Sequence, residues 1–360
     1  EKGVKGFRFD VVNLISKPDK YENDCEGDGR RFYTDGIHVH EYLKELVRDT
    51  GIEDMITVGE MSSTSLDNCI RYSNPEEKEL SMCFNFHHLK VDYKNGNKWE
   101  LMDTDRKELK RLFEEWQIGM QEHNGWNSLF WCNHDQPRIV SRMGNEGTYW
   151  KQSAKMLAAA VHLMRGTPYI YQGEEIGMPN AHFKDINDYR DVESLNYYEI
   201  LLKEGKTKEE AIKTLQERSR DNSRTPMQWS DEKNAGFSDV IPWISLPDHY
   251  KEINVENELR DEDSIYYFYK KLIELRKEKE VIQEGTIEFF EKDDDDLLAY
   301  ERNYKEEHLV VFNNLTEKEK EVEIPQLWTS YHKLIGNYDT ENMKENKVVL
   351  RPYETLVLEK

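Results

Sequence analysis

The chain is short of several things at once. Its 360 residues contain no stretch of about 20 consecutive apolar residues, which excludes a membrane-spanning helix, and no membrane partner is expected. Residues 1–7 carry neither an initiator Met nor the apolar core of a signal peptide. Cysteine is scarce: Cys25, Cys69, Cys83 and Cys132 show no short pair spacing of the kind that binds zinc or cycles as a dithiol. Their even number leaves pairing open, but a chain this rich in core-forming residues has no need of disulfide staples. Free thiols in a reducing cytoplasm are the expectation, with no metal. Positive charge is also in deficit. Fifty basic against 72 acidic side chains leave a net charge of −22, which disfavours nucleic acid as a partner and leaves room only for a local basic pocket.

What is present suits a sizeable core. With 37% hydrophobic and 34% charged residues, the length allows one large domain with an appendage, or two domains. Short apolar runs at 5–12, 55–60, 81–86, 128–133 and 169–172 read as buried strands. Helical patterns lie between them. Residues 35–50 place Val39, Tyr42, Leu43, Leu46 and Val47 on one face, 104–120 do the same with Leu109, Leu112, Phe113 and Trp116, and the Ala-rich 149–164 reads as a buried helix. Strand followed by helix, five times over, predicts parallel β/α units. Residues 193–220 hold one helical stretch, a Pro- and Gly-punctuated loop follows to about 254, and 264–280 is a helix. From about Val281 the pattern changes to short strands at 286–290, 297–302, 309–314, 321–324 and 355–358, a small all-β unit. The acidic run 293–296 reads as a solvated hairpin turn. The domains expected are 1–282, β/α, and 283–360, a β-sandwich.

Three acidic residues fall at or beside the C-terminal ends of the first, second and fourth strand candidates, where a β/α barrel places its chemistry: Asp10, Glu60 and Asp135. Arg8 lies two residues before Asp10, on the same face of the strand. Its charge would hold a carboxylate ionised at neutral pH, as a nucleophile requires. Glu60 ends Thr57-Val58-Gly59-Glu60, where a desolvated carboxylic acid could keep its proton. A single carboxylate at a strand end is ordinarily a helix cap or a surface group; three in register suggest glycoside cleavage, which needs a carboxylate and a carboxylic acid flanking the sugar.

These residues carry a resemblance. Gly6-Phe7-Arg8-Phe9-Asp10-Val11, Val58-Gly59-Glu60-Met61 and Asn133-His134-Asp135-Gln136-Pro137-Arg138 resemble three of the four short signature regions of the α-amylase superfamily, in that family's order. Within it the chain resembles the oligo-1,6-glucosidase group, through Val11 and through Asn222-Ser223-Arg224-Thr225-Pro226-Met227-Gln228-Trp229. More narrowly, residues 27–36, 59–65 and 84–93 are similar to the members of that group that hydrolyse trehalose 6-phosphate. The resemblance implies a (β/α)8 TIM barrel followed by a C-terminal all-β domain. It implies a retaining α-glucosidase with Asp10 as nucleophile, Glu60 as general acid and base, and Asp135 gripping the sugar hydroxyls. Arg8, His134 and Arg220 would serve the same subsite, and no cofactor is implied.

A phosphorylated disaccharide adds a dianion that calls for cations near the leaving-group sugar. No P-loop is present. The candidates are Lys90, with His87 and His88 beside it, and the pair Arg30 and Arg31. Against them stand loop salt bridges for the arginines, whose neighbours are Asp28 and Asp35, and packing for the histidines. Adjacent strand residues point to opposite faces, so His87 and His88 are not expected to share a metal.

Measured against the resemblance, only five of eight barrel strands are counted, the Asp10 strand being the fourth of the family's order. The chain is therefore expected to hold the barrel from about the fourth unit onward, without the aspartate that would pair with Arg220, and to have little activity alone. The readings carried forward are a trehalose-6-phosphate-cleaving α-glucosidase, an oligo-1,6-glucosidase of the same chemistry, and a non-catalytic fragment or carbohydrate-binding remnant. The oligomeric state is not legible.

Overall fold

A computed structural model describes residues 2–360. Five short parallel strands form its first part: β1 (Gly6–Phe9), β2 (Ile56–Glu60), β3 (Met82–Phe84), β4 (Ser128–Leu129) and β5 (Thr167–Pro168). β1 pairs with β2 from Gly6 opposite Ile56, β2 with β3 from Val58 opposite Met82, and β4 with β5 through Ser128 opposite Thr167. A bridge from Cys83 to Asn127 joins the two sheets, so the strands stand side by side in chain order. Among the described residues the outer edge of β1 is unpaired, and Phe7 and Ile56 beside it are 41% and 60% exposed.

Helices fill the crossovers: α1 (Val39–Thr50), α2 (Leu66–Ser73), α3 (Arg106–Glu122), then α4 (Ile139–Met143) and α5 (Trp150–His162) before β5. Local chemistry sets their ends. Gly51, at φ 65°, closes α1 with its N–H on the Val47 carbonyl. Ser65 caps α2 by accepting from the Asn68 N–H, and Asp105 caps α3 by accepting from that of Glu108. Val39, Leu43, Leu109, Leu112, Phe113, Trp116 and the Ala-rich face of α5 join one hydrophobic core, as their spacing predicts, whereas Tyr42, placed on the same face of α1, is exposed at the edge of that stripe. The fifth strand sits earlier than the apolar run at 169–172. Tyr169 still donates its N–H to the Leu129 carbonyl at 2.7 Å, but the chain then leaves the sheet for the turn at Gly173.

Beyond the barrel strands, the single helical stretch expected over 193–220 is two helices, α6 (Val192–Lys203) and α7 (Lys208–Arg218), broken at Gly205, whose φ is +92°. Thr207 and Glu210 start α7 with a reciprocal capping box. A short α8 (Asp221–Arg224) follows, then α9 (Val255–Arg260), α10 (Ile265–Glu278) and α11 (Glu280–Glu284).

The last part is all β. Strands β6 (Thr286–Phe290), β7 (Leu297–Tyr304), β8 (Glu307–Asn314), β9 (Lys320–Glu323), β10 (His332–Gly336), β11 (Met343–Lys344), β12 (Lys347–Leu350) and β13 (Thr355–Glu359) form two sheets, ordered β10-β13-β8-β7-β6 and β11-β12-β9. Both faces of the larger sheet are buried. Leu297, Ala299, Val310, Phe312, Leu356 and Leu358 meet the smaller sheet, while Leu298, Tyr300, Leu309, Val311 and Val357 join the core of the β/α part. The acidic run forms the hairpin turn between β6 and β7 with Asp293 and Asp295 exposed, as expected, but its other two carboxylates are paired. Lys320 binds Asp294 at 2.8 Å and Asp296 at 3.2 Å, Arg106 of α3 binds Asp296 at 2.7 Å, and Lys110 Nζ donates to the carbonyls of Glu291, Lys292 and Asp294. Basic side chains of α3 reach this turn because β6 lies against that helix.

Candidate active site

The end of β1 and the end of β2 bring Asp10 and Glu60 to one guanidinium. Arg8 Nη1 donates to Asp10 Oδ1 and Arg8 Nη2 to Glu60 Oε2, each at 2.5 Å. The Val11 N–H adds a longer contact to Glu60 Oε2 at 3.3 Å. Val11 takes φ +37°, an unfavourable conformation for a β-branched residue, and the chain turns there between Asp10 and the buried Val12.

The two carboxyl groups are driven apart in acidity. The hydrogen bond from Arg8, with a second to the Glu60 carboxyl, holds Asp10 below the usual carboxylate range despite slight desolvation. Glu60 is buried, and that desolvation pushes it above its ordinary value, aided by Asp10 and opposed by the charge on Arg8. An ionised group therefore faces one that keeps its proton to higher pH.

Beside Arg8 and Glu60 a cavity of about 240 Å³ opens, lined by Phe84, Phe86, Phe130, Asn133, His134, Tyr169 and Tyr171 among others. Phe84 meets Phe130 and Tyr169 edge-on, with ring centroids 5.0 and 4.6 Å apart, which fixes an apolar wall. Asp10 is outside this lining and meets the cavity through Arg8.

Asp135 stands in a turn after β4, where the Asn133 side chain accepts its N–H at 2.8 Å. Its carboxylate binds Arg224 Nη2 at 2.5 Å, Arg220 Nη1 at 3.6 Å and His134 Nε2 at 3.6 Å. Arg224 also donates to the His134 carbonyl at 2.7 Å. Arg220 does have an aspartate partner: Asp191 Oδ1 at 2.7 Å, with Glu193 at 3.3 Å. Asp191 is also the N-cap of α6, so Arg220 pairs with a helix end as well as with Asp135. Sequence reasoning missed Arg224 in this role, although it stands inside a motif already singled out. It also missed Asp191, whose only local signal was a cap.

The cations proposed for a phosphate fare differently. His88 is buried against Phe113, Phe130 and Trp131, its Nε2 meets the Phe130 carbonyl at 2.8 Å, and burial pushes it down to about 4. It is a neutral packing residue, which corrects its assignment to substrate. His87 meets the Thr64 carbonyl at 2.8 Å and stacks on Trp116. Arg31 is committed to Asp24 at 2.8 Å and Glu26 at 2.5 Å, so its charge is answered inside its own loop. Arg30 has one exposed partner, Asp28, at 2.7 Å. Lys90 is exposed and has no ion pair among the described residues; partial burial of its stem and the nearby Arg30 push its ammonium below the ordinary value. No group of His, Cys, Asp and Glu among the described residues is arranged to hold a metal ion.

Comparison with known proteins identifies the family. The family model described as alpha amylase, catalytic domain, matches residues 1–285, and that of the alpha-amylase SusG C-terminal domain matches 297–357. The trehalose-6-phosphate hydrolase of Bacillus subtilis (strain 168) is 51% identical over 363 residues, covering 99% of this chain and 64% of that protein. The oligo-1,6-glucosidase of Bacillus cereus is 44% identical, covering 99% and 65%. The crystal structure of Bacillus licheniformis trehalose-6-phosphate hydrolase superposes with a TM-score of 0.95 at 54% identity, over 99% of this chain and 65% of that one. The chain thus spans a little under two thirds of the length of these relatives.

Proposed function

Because the chain belongs to the alpha-amylase catalytic-domain family, we propose that the encoded protein, with any residues its reading frame adds before Glu1, is a retaining α-glucosidase. Its substrate is trehalose 6-phosphate, cleaved to glucose and glucose 6-phosphate. The single observation that carries the reaction type is the pair Asp10 and Glu60 on one arginine, the first held acidic and the second pushed up. The ionised Asp10 attacks the anomeric carbon and forms a glucosyl ester, while Glu60 gives its proton to the departing glycosidic oxygen. Glu60, now a carboxylate, takes a proton from water. That water opens the ester, frees glucose with its configuration retained, and returns Asp10 to its starting state. Asp135, backed by Arg224 and Arg220, holds the sugar hydroxyls. Four free thiols support a reducing cytoplasm as its compartment.

The phosphorylated substrate is favoured by Lys90, which is exposed and has no ion pair among the described residues, and by Arg30, whose charge acts on it. Two relatives named for trehalose 6-phosphate, each 51% identical, support the same choice over the 44% of an oligo-1,6-glucosidase. The deciding assay compares trehalose 6-phosphate, trehalose, isomaltose and an aryl α-glucoside on the encoded protein. Lys90→Ala is expected to raise KM for the phosphorylated sugar roughly tenfold or more and leave the aryl glucoside within about twofold. Preference of the unaltered protein for isomaltose would replace this reading with an oligo-1,6-glucosidase. Absence of any α-glucoside cleavage would leave a carbohydrate-binding remnant.

A further inference from the structure

Asp92 lies two residues past Lys90, and two guanidiniums grip its buried carboxylate. Arg142 forms a two-pronged contact, Nη2 to Oδ1 at 2.6 Å and Nε to Oδ2 at 2.7 Å. Arg218 Nη1 donates to Oδ2, and Arg218 Nη2 to the Asp92 carbonyl at 2.8 Å. The three side chains are 3%, 2% and 5% exposed. The ring of Tyr93 lies against both arginines, at 5.4 and 5.7 Å. Charges so far from water are held where their partners are, because each would lose hydration without regaining a hydrogen bond if it moved.

The three members stand beside the segments of Lys90, of Asp135 and of Arg220 with Arg224, Asp92 being 50 residues from Arg142 and 126 from Arg218 in the chain. Asp92 follows the turn of Lys90, and Arg142 Nη2 also donates to the Leu89 carbonyl just before that lysine. Arg142 Nη1 donates to Gln136 Oε1 at 3.0 Å, next to Asp135. Arg218 ends α7, two residues before Arg220 and six before Arg224, which both meet Asp135. Nothing joins Asp92 to Asp135 directly.

The geometry points to Asp92 as a positioning residue: through Arg142 and Arg218 it sets Asp135 against Arg220 and Arg224, and it ties that arrangement to the segment of Lys90. The inference rests on the α-glucosidase reading above. It places the sugar-gripping aspartate and the leaving-group cation in one rigid frame, so loosening the frame slows the chemical step on any α-glucoside.

The test uses Arg218→Met in the encoded protein, which leaves the neutral Asp92–Arg142 fork in place, beside Arg218→Lys and Asp92→Asn. Arg218→Met is expected to lower kcat on an aryl α-glucoside at least about tenfold with KM within about threefold, and Arg218→Lys to recover part of the loss. Its thermal midpoint stays within about 5 °C of the parent. Amide hydrogen exchange over 133–138 and 219–224 rises in the same variant. Asp92→Asn is expected to lose more, and if it fails to fold, Arg218→Met decides. An unchanged kcat with a lowered thermal midpoint makes the cluster merely structural and overturns the proposal. If the parent protein cleaves no α-glucoside, the functional reading falls by itself. Exchange over the two segments then decides the positioning alone: a rise in both upholds Asp92 as the support of Asp135, and no change overturns it.

Discussion

Arg8 distinguishes two carboxyl groups that composition alone makes equivalent. It donates to both at 2.5 Å, yet Asp10 is exposed and Glu60 buried, so the same cation lowers the first while desolvation prevails at the second. Asp10→Asn keeps the side-chain size and removes the nucleophile; kcat is expected to fall by about three orders of magnitude or more with the fold intact, checked by kinetics beside circular dichroism. Arg8→Met tests the electrostatics. Without its hydrogen bond the pKa of Asp10 rises, so the acid limb of the kcat/KM profile moves to higher pH; a limb that stays in place argues that Arg8 does not set the acidity. His88 teaches the converse lesson. A histidine beside a candidate lysine looks available in a linear sequence, but here the neighbouring side chain is exposed while the imidazole fills the aromatic core.

At the scale of elements, short strands present the carboxylates and the loops after them do the pairing. The segment from α7 through α8 supplies Arg218, Arg220 and Arg224 within seven residues, and none of these is legible as a pair to Asp92, Asp191 or Asp135 from spacing. The docking of α3 against β6 is built the same way. Lys110, itself buried, ends at three backbone carbonyls of the acidic turn, so Lys110→Met removes three charge-assisted hydrogen bonds that tie the turn to α3. A loss of about 1–3 kcal/mol of stability is expected in denaturant unfolding, with the aryl-glucoside KM unmoved.

Across the whole molecule, Arg302 and Glu174 show how the parts are held. Arg302 is buried between the β unit and the barrel helices and donates to carbonyls of Leu163, Ile282, Gly285 and Thr286. Glu174 sits behind the cavity wall, accepting from the Tyr269 hydroxyl at 3.0 Å, and burial pushes it up to about 7 from 4.5. A carboxyl raised on folding binds more protons in the native state, so its contribution is fully present below about pH 4.5 and is lost as pH rises to about 7. The span is on the order of 3 kcal/mol. Glu174→Gln removes the titration, and the stability profile between those pH values is expected to flatten; an unchanged slope would assign it to other groups.

Alternation of strand and helix, the amphipathic faces of α1, α3 and α5, the all-β ending, and the carboxylates that close β1 and β2 were legible in the sequence, while Asp135 stands six residues past the end of β4. Each of these depends on periodicity or on a local turn, which a linear pattern records. It did not show α2, which is short and begins in a polar Ser- and Thr-rich stretch, nor β10 to β12. Only the tertiary structure decided which cation answers which carboxylate: Arg31 within its loop, Arg220 and Arg224 on Asp135, Arg8 on two acids at once, and Lys90 on none among the described residues. Charge pairing and burial arise between segments far apart in the chain, and they set the protonation on which the proposed chemistry depends.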